Sequence, residues 1–516
     1  MYLTQGLLRA VQRKPEATAT VCGARRRTFR QMADRVARLA AVLRSLGVAA
    51  DDRVAILSLN SDRYLEAYLA IWWAGGAANP VNIRWSAAEI AYSLDDCATQ
   101  ILIVDDAFAD TAKTVGKTSK ALKHLLYWGE AATPAGMSGL EALIDAAEPV
   151  ANADRGGDDL AAVCYTGGTT GFPKGVMLSH ANLISSALGV VGSGESIGPV
   201  CLHAAPMFHA ADMLQFISAL IVESTHVVIP AFEPLAAMRA IQDEGVTDTL
   251  IVPTMIQMLA DHPQRDEFNL TSLQRLFYGA SVISEAVLVR ATRALPGTKF
   301  IQVYGMTELS PLITVLASCY HTEEGRRLGK HRSAGRASIM SEVRVVGPDD
   351  TEMPRGEVGE VVARGPQMML GYWNKPEETA AATRGGWMHT GDGAYMDDEG
   401  FVYIVDRMKD MIVSGGENVY SAEVENAVAS HPAVASCAVI GIPHDLYGEA
   451  VHAVVVLRAG ALADDEEIRR HCRERIAGYK CPRSIEFSAA LPMSGAGKIL
   501  KRELRKSYWE GRERKV

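Results

Sequence analysis

Hydrophobic positions near the start of the chain alternate between helical spacing and short continuous runs. After the capping box Thr28–Gln31, apolar side chains recur at helical intervals until Gly47 ends the pattern. Continuous apolar runs over 53–57 and 101–104 predict buried strands, and residues 62–74 predict a second helix. This alternation is typical of helices packed on parallel sheets.

The hydrophobic pattern changes further along the chain. Residues 129–159 are rich in Ala, Gly, Pro and Asp, which predicts a surface connection. Strand-like runs return at 226–229 and 249–252, so the α/β rhythm continues. Beyond them, runs at 343–346 and 360–363 are separated by Gly, Pro and Asp turns, which predicts antiparallel strands or a small barrel.

A second domain is predicted after a boundary near residue 406. The remaining pattern consists of a helix from Ser421, strands over 435–440 and 451–457, a helix from Asp464 and a strand over 484–487. We therefore predict an α/β fold with a large N-terminal domain, residues 1–406, built of layered α/β subdomains plus a small β-barrel-like part. Residues 407–516 are predicted to form a small C-terminal α+β domain.

The composition predicts a soluble globular protein. With 516 residues the chain is too long for one ordinary core, and its 48% hydrophobic and 22% charged residues are typical of globular proteins. The net charge of -9 argues against nucleic acid as a partner. Scattered cysteines, no signal-peptide pattern and no apolar run of bilayer length predict a cytoplasmic protein without an integral membrane segment.

One stretch is a candidate for phosphate binding. A strand-like run, Ala161–Tyr165, leads into Thr166–Gly175, which holds four glycines, three threonines and one lysine. Inward-turned glycine amides form an anion-binding concavity, and Lys174 adds a positive charge suited to phosphate oxygens. A Walker P-loop is excluded because Lys174 lies between Pro173 and Gly175, without the Ser or Thr that must follow it.

This loop resembles the signature loop of the adenylate-forming enzymes, which include acyl-CoA synthetases, firefly luciferase and peptide-synthetase adenylation domains. Gly167 stands where serine is common in that family, which removes one hydroxyl but keeps the backbone donors. Further motifs follow in the family's order as far as the C-terminal region. They are Pro206–His209, Tyr278–Ser281, Tyr304–Glu308, Trp387–Asp392, Asp406–Lys409, Ser414–Asn418 and Gly495–Ile499.

The resemblance implies a site for ATP and Mg²⁺. Tyr304 is expected to pack on adenine, and Asp392 to hold the ribose hydroxyls together with Arg407. A carboxylate beside a hydroxyl just past a strand suits Mg²⁺, so Glu308 is the expected metal ligand, with Thr170. The expected nucleotide-binding residues are Thr166, Gly167, Gly168, Thr169, Thr170, Gly171, Lys174, Gly279, Ala280, Ser281, Tyr304, Gly305, Met306, Thr307, Asp392, Arg407 and Lys498. The expected catalytic residues are Lys498, Thr307 and His209.

The C-terminal domain is expected to be mobile, because in the family it swings about a hinge between two half-reactions. The resemblance places that hinge at Asp406 and Lys409. It also implies that the glycine loop Gly415–Gly416 faces the thiol of CoA. Lys498 matches the family's catalytic lysine, although Ala496 replaces the threonine that usually precedes the Gly-Lys pair.

The acyl pocket is expected beside the nucleotide. By resemblance its lining residues are His209, Ala210, Met213, Gly279, Val303 and Tyr304. None of them is a lysine or arginine, so the pocket is expected to take an apolar tail rather than a second carboxylate. Fatty acids are therefore the first expectation, and phenylpropenoic or other aryl acids the second. Val303 stands where the family usually has glycine, which narrows the pocket and favours medium-length chains or a compact ring.

Together these features predict an ATP-dependent carboxylic acid–CoA ligase. It would convert acid, ATP and CoA into acyl-CoA, AMP and diphosphate through an acyl-adenylate. Its partners would be these small molecules and Mg²⁺, and a homodimer is compatible with the resemblance. Three alternatives stay open at this point. They are an adenylating enzyme that loads a carrier protein or releases the acyl-adenylate, nucleotide binding without catalysis, and luciferase-like oxidation.

Overall fold

Helices and strands alternate along most of the chain. The computed structural model describes residues 1–166, 173–195, 197–281, 283–407, 410–414, 417–495 and 497–510. The helices are α1 (Gln5–Arg13), α2 (Phe29–Ser45), α3 (Asp62–Ala74), α4 (Ala87–Asp96), α5 (Ala109–Thr118), α6 (Leu140–Ala146), α7 (His180–Val191), α8 (Ala210–Ile221), α9 (Pro234–Glu244), α10 (Pro253–Ala260), α11 (Glu285–Ala294), α12 (Glu323–Arg327), α13 (Pro376–Ala382), α14 (Ser421–Ala429), α15 (Asp465–Arg473) and α16 (Lys501–Trp509).

The strands supply the frame on which the predicted motifs lie. They are β1 (Thr18–Cys22), β2 (Arg25–Thr28), β3 (Arg53–Leu57), β4 (Ala77–Pro80), β5 (Ile101–Val104), β6 (His124–Tyr127), β7 (Ser138–Gly139), β8 (Leu160–Thr166), β9 (Lys174–Ser179), β10 (Val200–His203), β11 (Thr225–Val228), β12 (Asp248–Ile251), β13 (Arg275–Gly279), β14 (Lys299–Tyr304), β15 (Thr314–Leu316), β16 (Arg336–Ala337), β17 (Glu342–Val346), β18 (Gly359–Arg364), β19 (Gly371–Tyr372), β20 (Met388–Met396), β21 (Val402–Arg407), β22 (Ile412–Ser414), β23 (Glu417–Val419), β24 (Val434–His444), β25 (Gly448–Leu457) and β26 (Ser484–Phe487).

Within the described ranges the strands form four sheets, two of them large. One has the order β16-β15-β14-β13-β12-β10-β11-β1-β2, and the other β19-β9-β8-β4-β3-β5-β6-β7. Pairing is parallel through the centre of both, and it is antiparallel at both edges of the first sheet and at the β19 edge of the second. Parallel strands are buried on both faces, which explains why their sequences are continuous apolar runs. The α/β class predicted from those runs is confirmed.

One apolar core joins the two large sheets and is built around α3, which is buried on nearly all sides. The rings of Tyr68 and Trp72 stack at 5.5 Å between centroids, and Phe216 of α8 stacks on Tyr68 at 6.3 Å. The indole N–H of Trp72 donates to the carbonyl of Ala161 at 2.9 Å. This bond fixes α3 against β8, the strand that leads into the predicted phosphate loop.

The third sheet, β17-β18-β20-β21, is antiparallel and has a small core of its own. Strands β17 and β18 coincide with the two runs that predicted antiparallel pairing. The fourth sheet, β23-β22-β25-β24 with β26 beside β25, is covered by α14 and α15 over a separate core. The predicted C-terminal α+β part is confirmed. Its exact division from the rest at residues 406/407 stays a prediction, because β21 runs on to Arg407.

Residues 129–159 are largely exposed, as a surface connection is expected to be, but they include two short elements that were not predicted. Strand β7 and helix α6 lie within this segment, and α6 buries Leu140 and Ile144. The carboxylate of Glu141 accepts a hydrogen bond from the indole of Trp128 at 2.5 Å. A helix of seven residues is too short to give a clear periodic signal in sequence, so only its packing reveals it.

The C-terminal unit lies against the large domain through a few polar contacts. Arg84 donates to the carbonyls of Ser494 at 2.9 Å and Met493 at 3.3 Å. The side-chain amide of Gln257 donates to the carbonyl of Ala435 at 2.8 Å. The hydroxyl of Thr254 also donates to the carbonyl of Gly497 at 3.4 Å, and Arg458 lies 3.5 Å from the carboxylate of Asp261. None of the helices in the described ranges is long and apolar enough to cross a membrane.

Candidate active site

The predicted phosphate loop connects two antiparallel strands. Strand β8 ends at Thr166, strand β9 begins at Lys174, and these two residues face each other in the ladder. The loop therefore leaves and re-enters the sheet at one point. The predicted loop residues Gly167, Gly168, Thr169, Thr170 and Gly171 lie outside the described residues.

Tyr372 links the end of this loop to the predicted metal ligand. The ammonium nitrogen of Lys174 lies 5.1 Å from the centre of the Tyr372 ring. The Tyr372 hydroxyl donates to Oε1 of Glu308 at 2.9 Å. Strand β19 pairs with β9, which places Tyr372 beside the loop's exit strand. No sequence motif pointed to Tyr372, because its contact with Glu308 depends on a pairing between strands almost 200 residues apart.

Glu308 is a buried carboxylate that feels the charges of two cationic side chains. Burial raises its pKa, while the bond from Tyr372 and the positive charges of Arg407 and Lys498 oppose that rise. Among the described residues, no group of three or more His, Cys, Asp or Glu side chains could hold a metal ion. A single carboxylate fits Mg²⁺ that arrives with ATP, because Mg²⁺ takes one or two carboxylates together with phosphate oxygens.

The residues expected to hold adenine and ribose come together across two sheets. Asp392 of β20 faces Arg407 of β21, and Nε of Arg407 lies 3.1 Å from Oδ1 of Asp392. The hydroxyl of Tyr304, at the end of β14, donates to Oδ2 of Asp392 at 2.8 Å. Tyr304 and Arg407 thus orient this carboxylate from two sides, which prepares it to accept further hydrogen bonds from vicinal hydroxyls.

Two tight loops follow the neighbouring parallel strands β13 and β14. A Cβ on Gly305 would lie 1.9 Å from the carbonyl oxygen of Pro311, so only glycine fits there. Ala280 has a φ of 68°, a left-handed conformation that is uncommon outside glycine. Ser281 follows it, and Met306 precedes the short helical turn Thr307–Leu309 that carries Glu308. Loops at the carboxyl ends of parallel strands are a common place for ligands to bind.

Lys498 reaches this group of residues from the C-terminal unit. Its loop is closed by two hydrogen bonds, from Ser494 N to the Lys498 carbonyl at 2.7 Å and from Lys498 N to the Ser494 hydroxyl at 3.1 Å. Burial lowers the pKa of Lys498 from 10.5 to about 8, and the positive charge of Arg407 contributes, while Asp392 and Glu308 act in the opposite direction. The lysine therefore lies within electrostatic reach of the predicted ribose and metal residues.

His209 is held at the first turn of α8. The side chain of Asn60 holds the segment just before His209. It donates a hydrogen bond to the carbonyl of Ala205 at 2.8 Å and accepts one from the N–H of Met207 at 2.9 Å. Burial lowers the pKa of His209 to about 3, and the nearby charges of Lys498 and Arg84 add to this effect. The imidazole is therefore neutral near pH 7. Its buried Nε2 has no hydrogen-bond partner among the described residues.

A small cavity lies among α8 and the strands β12, β13 and β14, and Val303 forms part of its wall. The other lining residues are Val190, Ile197, Cys201, Leu214, Gln215, Ser218, Asp248, Thr249, Leu250 and Phe277. The other five residues expected to line the acyl pocket are not in this wall. Gly279 instead packs directly on Val303, because a Cβ there would lie 2.2 Å from the Val303 carbonyl oxygen.

Comparison with known proteins decides the family. A family model described as AMP-binding enzyme matches residues 7–373, and one described as AMP-binding enzyme C-terminal domain matches residues 423–498. The chain belongs to the AMP-binding enzyme family. The resemblance inferred from the motifs is thereby confirmed, and the protein is an AMP-forming acyl-CoA synthetase with ATP and CoA as substrates.

The relatives differ in the acids named for them. A feruloyl-CoA synthase of Amycolatopsis sp is 40% identical over 97% of this chain and 98% of its own. The medium/long-chain-fatty-acid–CoA ligase FadD8 of Mycobacterium tuberculosis is 35% identical over 100% of this chain and 91% of its own. The structure of ATP-bound MatB from Rhodopseudomonas palustris matches with a TM-score of 0.87 at 30% identity, covering 98% of this chain and 99% of that one.

The predicted hinge is described at one of its two residues. The carboxylate of Asp406 accepts hydrogen bonds from the backbone N–H groups of Arg407 and Ser421, each at 2.7 Å. It therefore joins the end of β21 to the start of α14, the first helix of the C-terminal unit. Lys409 and the predicted thiol loop Gly415–Gly416 lie outside the described residues.

The lowered pKa of Lys498 predicts a pH dependence. The ammonium form is lost as pH rises through about 8, so the first half-reaction of the free enzyme is expected to fall above that value. The rate at low ATP, measured as ATP–pyrophosphate exchange without CoA, tests this without interference from the CoA thiol. The matched variant Lys498→Arg stays charged throughout, so its residual rate should not change over the same range. A wild-type rate that stays constant to pH 10 contradicts the assignment.

Proposed function

We propose that the enzyme is an ATP-dependent acid–CoA ligase whose preferred acid is of the phenylpropenoic or another aryl type, ahead of fatty acids. The bulk of Val303 carries this proposal. Val303 stands where the family usually has glycine, and it lies in the wall of a small cavity beside α8, β12 and β13, so it would shorten the space open to a long chain. The 40% identity to a feruloyl-CoA synthase supports the same order of preference.

The first half-reaction joins the acid to the nucleotide. A carboxylate oxygen attacks the α-phosphorus, and the bond to the bridging oxygen of the β-phosphate breaks, which releases diphosphate. The barrier is mainly electrostatic, since an anion approaches a polyanion. Lys498 and Lys174 would neutralise this repulsion, and the Thr307 hydroxyl would bond the α-phosphate. Mg²⁺ held by Glu308, with Thr170, would supply further positive charge to the phosphates.

The remaining site residues would position the reactants. Asp392, oriented by Tyr304 and Arg407, would accept the ribose hydroxyls and fix the nucleotide. A neutral imidazole at His209 can donate a hydrogen bond without offering a charge that would trap the carboxylate as a salt. The acid would then keep its nucleophilic oxygen free for attack.

The second half-reaction would follow a rotation of the C-terminal unit about Asp406 and Lys409. Lys498 would leave the site, and the Gly415–Gly416 loop would face the incoming thiol. The CoA sulfur attacks the acyl carbonyl, and the bond from that carbonyl carbon to AMP breaks. The described contacts between the two units are polar and can be exchanged for contacts with water, which supports such a motion.

The decisive experiment for the reaction is competition among acids and acceptors. Purified enzyme receives ATP, Mg²⁺, CoA and an equimolar mixture of fatty and aryl acids, and mass spectrometry identifies the acyl-CoA products. Aryl-CoA products are expected to dominate. Replacing CoA by a holo carrier protein tests the alternative acceptor. If fatty acyl-CoA products dominate, the preference for fatty acids expected from the sequence is correct and the aryl proposal is wrong. If only the carrier protein is loaded, the acceptor is a carrier protein and not CoA.

Val303 is expected to limit the length of the acid. Val303→Gly should shift the kcat/KM optimum toward longer acids, because each additional buried methylene contributes roughly 0.8 kcal/mol, or about fourfold. A series of straight-chain and aryl-alkyl acids measures the shift. Val303→Ala removes less volume and should move the optimum in the same direction by less. An unchanged optimum in both variants contradicts this account of the cavity.

A further inference from the structure

Asp96, the last residue of α4, is connected to both ends of the predicted phosphate loop. Its Oδ2 accepts a hydrogen bond at 2.6 Å from the hydroxyl of Tyr165, which lies in β8 just before the loop. Its backbone carbonyl accepts one at 2.9 Å from the indole N–H of Trp373. The backbone N–H of Trp373 in turn donates to the carbonyl of Gly175, in the strand after the loop, at 2.8 Å. One helix end therefore holds the entry and the exit of the loop.

The two ends of the loop are also packed tightly against each other. Tyr165 and Gly175 face each other in the ladder of β8 and β9. A Cβ on Gly175 would lie 3.0 Å from Cζ of Tyr165 and 3.3 Å from Cβ of Trp373. Tyr165 and Trp373 both pack on a small apolar core that contains Val163. A shift of either ring would therefore move the strand ends from which the loop starts.

The side chain of Asp96 is unfavourable for α4 itself. The C-terminal end of a helix carries partial negative charge, so a carboxylate there is destabilising and a lysine or arginine would suit the helix better. The last carbonyls of a helix need partners from outside it, and Trp373 provides one for Asp96. The distance of 2.6 Å to Tyr165 is that of a charge-assisted hydrogen bond, which is roughly twice as strong as a neutral one. A role toward the loop explains these features better than a role in α4.

The same contacts extend to the expected metal ligand. Trp373 directly follows Tyr372, whose hydroxyl donates to Glu308 at 2.9 Å. The guanidinium of Arg53 lies 4.7 Å from the centre of the Trp373 ring and donates to the carbonyl of Cys97 at 2.6 Å, which holds the indole beside the end of α4. Through Trp373 the end of α4 is therefore linked both to the loop and to the carboxylate expected to hold Mg²⁺.

We infer that Asp96 is a positioning residue for the triphosphate of ATP. It acts through Tyr165 and Trp373, which fix the two strand ends that carry the phosphate loop. Exact placement of such a loop matters, because a displacement of about 1 Å commonly costs about 100-fold in rate. The inference rests on the proposed function, in which Lys174 and the loop act on the phosphates. It goes further in naming Asp96, which belongs to none of the motifs.

The test compares ATP with AMP, which lacks the β- and γ-phosphates. Calorimetric titration of Mg²⁺–ATP and of AMP gives the Kd of each for wild-type enzyme and for Tyr165→Phe. This variant loses one hydroxyl and keeps the ring, so the core around it should stay packed. Its affinity for ATP is expected to fall about tenfold or more, as loss of a hydrogen bond to a charged group causes, and its affinity for AMP should be unchanged. Thioester formation from a supplied acyl-adenylate should also be unchanged, since that step involves no triphosphate.

Two substitutions at Asp96 and one control locate the effect. Asp96→Ala should reproduce the selective loss of ATP affinity, and Asp96→Asn, which keeps an oxygen acceptor, should recover most of it. Tyr127→Phe is the matched control, because Tyr127 also donates from a strand of this sheet to a carboxylate, that of Asp106. Its strand, β6, is separated from β8 by β4, β3 and β5. The ratio of the two Kd values should therefore stay at the wild-type value in this control.

Lys174→Ala separates failure of the inference from failure of the proposed function. If it weakens ATP binding selectively while Tyr165→Phe and Asp96→Ala do not, the positioning inference is wrong and the proposed function stands. If it leaves ATP binding unchanged, the loop does not bind the triphosphate, and both fail. An equal loss of ATP and AMP affinity in Tyr165→Phe, or a loss in Asp96→Asn as large as in Asp96→Ala, overturns the inference as well.

Discussion

Lys498→Ala is expected to abolish acyl-adenylate formation while thioester formation from a supplied acyl-adenylate continues. In the structure Lys498 lies within electrostatic reach of Glu308, Asp392 and Arg407, so it can act on the phosphates in this arrangement. Removing one such charge from the transition state typically lowers kcat about 100- to 1000-fold. Pyrophosphate exchange measures the first half-reaction, and acyl-CoA release from synthetic acyl-adenylate measures the second.

The control for this variant is Lys506→Ala. Lys506 belongs to the same basic C-terminal segment but is exposed on α16, so its loss should leave both half-reactions near the wild-type rates. If Lys498→Ala slows both half-reactions equally, Lys498 acts in both of them. The enzyme then needs only one conformation for the two half-reactions, which contradicts the proposed rotation.

Lys409→Pro is expected to have the opposite effect. Proline fixes φ near −65°, so a hinge residue that must change its backbone angles can no longer do so. The C-terminal unit should stay in the arrangement that brings Lys498 to the nucleotide residues. Pyrophosphate exchange should then continue, while acyl-CoA formation from a supplied acyl-adenylate falls by about two orders of magnitude, as displaced reacting groups commonly cause.

The variant Lys409→Ala separates the effect of restricting the backbone from the effect of losing the side chain. It removes the same ammonium group but leaves φ free, so both half-reactions should remain near wild type. If Lys409→Pro and Lys409→Ala behave alike, the residue is not the hinge. The carboxylate of Asp406, which already joins β21 to α14, would then become the next position to test.

The sequence alone was sufficient for the elements whose signals are local. The capping box at Thr28 and Gln31 is formed as predicted, and α2 ends just before Gly47, which has a φ of 94°. The predicted bounds of β3, α3 and β5 agree with the structure residue for residue. These elements depend on the spacing of hydrophobic side chains and on hydrogen bonds between residues a few positions apart. Both features are visible in the sequence.

The motifs also identified the family, because its chemistry needs short runs of defined residue types. Glycines at tight approaches such as Gly305 are required by backbone contact, so they persist in the sequence as a recognisable signature. The acid was not determined in the same way. The sequence predicted fatty acids first, because none of the residues taken from the motifs is a lysine or arginine that could pair with a second charge.

Only the tertiary structure decided which side chains meet. Tyr372 reaches Glu308 through the pairing of β19 with β9, and Arg84 holds the loop of Lys498 from more than 400 residues away. The same holds for the cavity, where α8 brings Gln215 opposite residues of β12, β13 and β14. Local sequence patterns determine the helices and strands. Contacts between distant elements arise when two sheets pack around one core, and the periodicity of hydrophobic residues contains no information about those contacts.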